Sequence, residues 1–426
     1  MNDMGHEVAV TGMGAITPIG ADVEAFWSGL VAGRSGVGPI TLFNASELPV
    51  RIAAEVKAQD WDARRSVPDL VEEPRASRGA LFAVAAARAA LAQAGIAEVS
   101  RSSTRVGVFL GVSSGRGVEP CIAAAEDAPP DWLRFGPRAL ALTDPHRLWW
   151  ISSRAMTAWL ARACGARGPT MTIMTACTAG AQAIGIAIHA LRRGEIDVAV
   201  AGGVSTMVDP LAVAGFARLQ ALSVRNEAPA AASRPFDGRR DGFVIGEGAG
   251  IVVLERLVHA RARRATRLAL LTGYSSTADA YRITDSDPDG RGAARAMIAA
   301  LRDAGRSPAE VGYVNAHGTS THVNDRAETI AIKAVLDRAA RRVPISSNKS
   351  MIGHLIAAAG AVEVIATVLT VTRGVVPPTI NHEDPDPECN LDYVPNRARA
   401  ADIRVAISNS FGFGGLNACL VVERSH

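Results

Sequence analysis

Among the five cysteines of this sequence, Cys177 stands where a thiol could act as a nucleophile. It follows a β-branched and methionine run, Met171 to Thr175, and precedes a Gly/Ala-rich segment of helical pattern, Ala179 to Leu191. A strand-to-helix elbow of this kind puts the side chain at a helix N-terminus, where unpaired N–H groups and the macrodipole favour thiolate. The same amides can form part of an oxyanion hole. Other segments carry groups that could complete such a site. His317 ends the strand-like run VGYVNA and opens the turn GTST, so a rigid element presents its imidazole. His354, in SNKSMIGHLIAAAG, heads an apolar stretch and has few local partners. Lys349 precedes it in the same segment and is one of only three lysines, at 57, 333 and 349. A buried ammonium is costly unless paired, so either a carboxylate such as Glu328 balances Lys349 or the lysine tunes its neighbours. Finally, the glycines of NSFGFGGLNA (409–418) allow close backbone approach, and amides there can donate to an oxyanion.

The elements that must position these groups follow an α/β pattern, short apolar runs alternating with Ala-rich helical segments. A weak internal repeat organises them. In the first half VGVFLGVSSG (106–115) precedes TIMTACTAGAQAIGIAIHAL (172–191), then DVAVAGG (197–203) and GAGIVVLE (248–255). In the second half VGYVNAHGTST (311–321) precedes ISSNKSMIGHLIAAAGAVEVIATVL (345–369), then RVAISNSFGFGG (404–415) and LNACLVVE (416–423). Two such halves, 1–255 and 256–426, would bring their equivalent loops to one site. Their central helices, expected to start near Ala176 and Met351, would pack on each other through small residues. Longer excursions at 113–150, 221–247 and 377–396 interrupt the scaffold and are candidates for functional loops.

Composition narrows the class. The chain has 426 residues, 48% of them hydrophobic, and only 5% aromatic, which suits buried parallel strands under Ala-rich helices. A net charge of +3 makes no case for nucleic acid. The cysteines at 121, 164, 177, 389 and 419 have no metal-ligand spacing, and their odd number suggests free thiols in a reducing compartment. No uncharged apolar stretch is long enough to cross a bilayer, and the N-terminus shows no signal pattern, so a cytoplasmic protein without a membrane partner is expected.

TACTAG, NAHGTST, NKSMIGH and NSFGFGG resemble the four signature blocks of the β-ketoacyl-acyl-carrier-protein synthases of the His/His class. That class includes the elongating synthases of type II fatty-acid synthesis and polyketide ketosynthases. The likeness runs from VAVTGMGAITPIG (8–20) through SRPFDGRRDGFVIGEGAG (233–250) to the last strand. It implies a duplicated thiolase-like fold, five layers αβαβα with two pseudo-symmetric halves. It also implies an acyltransferase in which Cys177 is acylated and His317 and His354 hold the enolate left when malonyl loses CO2. Lys349 would structure the site. The backbone N–H groups of Cys177 and Phe411 would form the oxyanion hole, Phe411 would gate it, and Glu328, Thr319, Thr321, Gly412 and Phe413 would support it. No metal and no redox cofactor is needed for such chemistry. A thiolase would need a second, C-terminal acid/base cysteine, whereas Cys419 falls within the last strand. Starter-unit synthases have Asn where His354 stands, and a chain-length partner lacks the nucleophile. The implied partner is an acidic acyl carrier protein, expected to dock on Arg225, with Arg75 and Arg78 as weaker candidates. The stretch 144–160 holds three tryptophans, Trp149, Trp150 and Trp159, where a reshaped pocket or a non-identical subunit would be natural. The expectation is therefore the catalytic subunit of a type II polyketide synthase, in a heterodimer with a Cys-less homologue. A homodimeric fatty-acid enzyme is the alternative.

Overall fold

A computed structural model describes residues 7–96, 103–114, 132–142, 144, 146 and 152–425. Cys121, the turn at 115–117, Trp149 and Trp150 lie outside the described residues. Ten strands form one hydrogen-bonded sheet: β1 (Val8–Ile16), β2 (Val106–Ser114), β3 (Thr170–Ile173), β4 (Val198–Thr206), β5 (Gly248–Arg256), β6 (Ala269–Ala278), β7 (Val311–Asn315), β8 (Ile345–Ser346), β9 (Val405–Gly412) and β10 (Leu416–Arg424). Their order is β8-β7-β9-β10-β6-β1-β5-β4-β2-β3. Read outward from the middle, the sides are β1-β5-β4-β2-β3 and β6-β10-β9-β7-β8. The second is the first with every strand replaced by its counterpart in the other half. Pairing directions match as well: the inner two pairs on each side are antiparallel and the outer two parallel. The repeat in the sequence is thus a duplication of the fold. Only the pairs Val8–Leu271, Ala9–Leu270 and Val10–Ala269 join the sides through the ladder.

Six longer helices complete the scaffold: α1 (Arg78–Gln93), α2 (Ser153–Cys164), α3 (Ala179–Arg192), α4 (Arg291–Asp303), α5 (His322–Leu336) and α6 (Ala359–Arg373). Helices α3 and α6 pack on each other and on strands of both halves, so they form a central layer. α1 and α2 cover the outer face of the first half; α4 packs on β6 and β10, with α5 beside it. The result is five layers, αβαβα. A helix enclosed on all sides has no polar face to spare, which accounts for the Ala/Gly composition of α3 and α6. Close approach decides individual positions. A Cβ on Gly180 would lie 2.7 Å from the carbonyl oxygen of Ala357, and one on Gly203 2.3 Å from the same atom. The segment Ile356–Arg373 is apolar and long enough to cross a bilayer by composition, but it is this central helix, 89% buried within the protein.

One boundary differs from the sequence expectation. The second central helix begins at Ala359, not near Met351, which belongs to a separate turn, Lys349–Ile352. Gly353, with φ of 66°, breaks the chain between them, a conformation that glycine alone adopts cheaply. That break frees His354 from the helix.

Candidate active site

The same local device starts both central helices. Ala176 (φ 49°) and Ile356 (φ 43°) sit in the left-handed region, each at the start of a short 3-10 turn that runs into α3 or α6. A non-glycine residue there costs roughly 1–2 kcal/mol, so the surrounding packing must enforce it. At the first elbow the turn presents Cys177 to a cavity of about 410 Å³, whose walls include Phe216, Phe243, Thr319, Thr321 and Phe413.

His354 is held by its backbone. Its N–H donates to Val244 O at 2.7 Å and its carbonyl accepts from Gly246 N–H at 2.9 Å. The excursion at 221–247 is therefore what seats this histidine, and the Phe243 ring meets the imidazole edge-on. His354 Nε2 lies 3.0 Å from Cys177 Sγ, and Nδ1 accepts the Ile356 N–H at 3.2 Å. With Nδ1 an acceptor, the neutral ring carries its proton on Nε2, facing the sulfur. His317 is wired the same way: the Lys349 ammonium, a donor only, lies 3.3 Å from its Nδ1, which leaves Nε2–H for the cavity. Burial first, and then the Lys349 charge, hold both imidazoles well below their ordinary pKa. The rings stand 5.3 Å apart and nearly perpendicular. The site thus offers two neutral N–H donors converging beside one sulfur.

Lys349 is buried and its ammonium pairs with Glu363, while donating to His317 O at 2.7 Å. The counter-ion is Glu363 and not Glu328. Burial raises the Glu363 pKa and the Lys349 charge opposes that. Glu328 instead accepts the N–H groups of His317 (2.9 Å) and Gly318 (2.8 Å) and the Asn409 amide (3.1 Å). It thereby shapes the turn that carries His317. Burial pushes its pKa up to about 7, against those three donors. Thr319 and Thr321 share a 2.8 Å hydrogen bond on the cavity wall, and Thr321 also caps α5.

The expected preference for thiolate is reversed. Burial pushes the Cys177 thiol up to about 11, and Lys349 and two backbone N–H groups only partly offset it. Those amides belong to Phe413 and to Cys177 itself. The amide that meets the sulfur from the glycine-rich loop is thus that of Phe413, whereas Phe411, in strand β9 opposite Asn417, lines the same cavity with its ring against His317. The ligating atoms of Cys177, His317 and His354 all lie within 4.8 Å of one another. A metal ligand, however, needs a lone pair on the inner nitrogen and an acceptor at the outer one. Both rings have a donor at the outer nitrogen, the opposite arrangement.

Comparison with known proteins agrees with this geometry. Residues 5–260 match the family model for the β-ketoacyl synthase N-terminal domain, and residues 268–383 match that for the C-terminal domain. The chain belongs to the β-ketoacyl synthase family. It is an acyltransferase with the ketosynthase fold. A 3-oxoacyl-[acyl-carrier-protein] synthase 2 of Synechocystis is 45% identical over 98% of each chain. Two solved structures have TM-scores of 0.88 and cover 99% of this chain and 100% of their own. One, 35% identical, is a type II polyketide ketosynthase in complex with its acyl-carrier protein and bound to the hexaketide. The other, 37% identical, is the ishigamide ketosynthase/chain length factor.

Cys177, His317, His354 and Lys349, all singled out in the sequence, meet at one place in this ketosynthase. One neighbour of the site was missed. Glu363 is the lone carboxylate in the apolar run of α6, a signal that was there to be read. Phe413 was expected only as a support, because a two-residue shift of the amide along a glycine-rich loop is invisible without coordinates. The docking candidates fare unevenly. Arg78 is a strut: it donates to Glu247, itself buried, and to Val56 O. Arg75 pairs with Glu73. Arg225 donates to Arg239 O and lies 3.5 Å from Asp241, a residue of the cavity wall.

Proposed function

We propose that this chain carries an acyl group on Cys177 and condenses it with a malonyl unit borne by an acyl carrier protein, releasing CO2. The observation that carries this reading is the wiring of the two imidazoles, each with a donor at Nδ1 and its Nε2–H turned toward the cavity. The sulfur attacks the acyl-carrier thioester, and the departing carrier thiol takes up the proton that Cys177 gave. The malonyl thioester carbonyl then accepts from His317 and His354. Loss of CO2 leaves its electron pair as an enolate held by those N–H groups, which favour the developing oxyanion over the neutral carbonyl. The enolate attacks the acyl carbonyl while its oxygen leans on the Cys177 and Phe413 amides. Collapse returns the thiolate and yields the β-ketoacyl carrier. The two electrons of the new bond come from the lost carboxylate, so no oxidant or reductant takes part.

The setting we infer is a cytoplasmic type II polyketide assembly, with this chain as the catalytic partner of a homologue lacking the cysteine. The likeness to a ketosynthase/chain length factor structure supports it. The second reading, a homodimeric fatty-acid elongating enzyme, is favoured by the higher identity to the Synechocystis synthase. One preparation separates them. The purified chain is mixed with acyl-carrier and malonyl-carrier, and the products are read by intact-carrier mass and released CO2. No condensation unless a homologous Cys-less subunit is added supports the polyketide setting. Turnover by a homodimer that extends simple saturated chains replaces it with the fatty-acid reading.

A further inference from the structure

The helix Pro210–Arg218 forms one wall of the cavity mouth, with Phe216, Leu219 and Gln220 lining the cavity itself. Leu211, Gly215 and Arg218 follow one another at i, i+4 and i+7, and so share one face of it. All three are exposed, Leu211 to 48%, and a side chain added at Gly215 would meet nothing of this chain. Leu219 (55% exposed) and Val323 (47%) continue the apolar surface at the rim.

The arginines around this mouth differ in one respect. Arg225 is tied to Asp241, Arg239 to Glu383 and Asp384, Arg240 to Asp325 and Asp386, Arg282 to Asp285, and Arg326 to Glu388. Arg218 has no hydrogen bond and no ion pair among the described residues, and it stands in the open. A cation already balanced by a carboxylate offers an incoming anion little, whereas an unbalanced one on an apolar face steers and orients it.

We infer that the face Leu211–Gly215–Arg218 is where the acidic carrier protein seats, with Arg218 as its principal ionic anchor rather than Arg225. This rests on the condensation reading above, which requires a carrier to deliver its thioester through this mouth. The face combines an apolar seat, a position without a side chain that lets another helix approach, and one free charge.

The test compares kcat/KM for a carrier-borne acyl group with that for a small acyl thioester lacking the carrier. In Arg218→Glu the ratio of the two should fall at least about fivefold, through KM and not kcat, and KM should lose part of its rise with salt. Arg225→Glu should change the ratio less than about twofold, because its charge is already engaged by Asp241. A bulky variant, Gly215→Trp, should lower the ratio without any change of charge. An unchanged ratio in both Arg218→Glu and Gly215→Trp, with carrier substrates still condensed, overturns the docking inference alone. Failure of the wild-type protein to condense carrier-borne substrates both alone and with a homologous Cys-less subunit overturns the reading beneath it.

Discussion

The two halves of this protein build the same elbow twice and use it once. In the first half, left-handed Ala176 presents Cys177 to the cavity, beside Gly412 and the Phe413 amide. In the second, left-handed Ile356 presents Ala357, whose N–H points at Ser113 Oγ and whose carbonyl crowds Gly203 and Gly180. The strand tips that face these elbows differ in the same sense. Beyond β7 stands His317, backed by Lys349 and Glu328; at the end of β2 stands Ser113, hydrogen-bonded to Ser205. Duplication supplied two equivalent scaffolds, and the side chains made one of them a reaction site and the other packing. Neither half is sufficient, since the nucleophile comes from the first and both imidazoles from the second.

Moving the thiol gives the largest expected effect. Cys177→Ala should abolish acyl-enzyme formation and condensation while leaving the fold intact, as Ala357 already shows the elbow tolerates alanine. Adding Ala357→Cys to that variant should not restore an acyl adduct in intact-mass measurements, because position 357 is fully buried and off the cavity wall, and His354, the imidazole beside that elbow, turns its Nε2 to position 177. An adduct on the thiol introduced there would show that the elbow alone makes the nucleophile. The next effect concerns the ion pair buried in the second half. Lys349→Met leaves Glu363 buried without its cation and should cost about 3–5 kcal/mol in chemical denaturation. The double variant Lys349→Met with Glu363→Leu should recover most of that stability but not the condensation rate, since His317 Nδ1 has lost its donor. Recovery of both would make Lys349 a structural residue only. The smallest effect is a pH profile. Because burial raises the thiol to about 11, the thiolate fraction at neutrality is small and grows as pH rises. Alkylation of Cys177 by a small electrophile should accelerate about tenfold per pH unit from 7 upward, roughly up to pH 10, without levelling. A plateau near a pH of about 8, close to the ordinary thiol pKa, would mean that the helix N-terminus and Lys349 outweigh burial.

What the sequence determined by itself was whatever is written locally. The elbow at Cys177, the strand-end position of His317, the alternation of strands and helices and the order of the repeat all follow from residues within a few places of one another. Turn chemistry and hydrophobic period act at that range. Even Glu363 was legible, as a carboxylate that an apolar helix does not otherwise explain. The tertiary structure alone decided the questions of pairing and solvent. It gave Lys349 to Glu363 and Glu328 to the His317 turn, put the Phe413 amide at the sulfur where Phe411 was expected, and turned Arg78 into a strut on a buried carboxylate. It also reversed the thiol, since at the head of a central helix the loss of water raises its pKa by more than the backbone amides and the Lys349 charge lower it. Charge partners and desolvation are sums over everything packed around a group, and most of those neighbours lie far away in the chain.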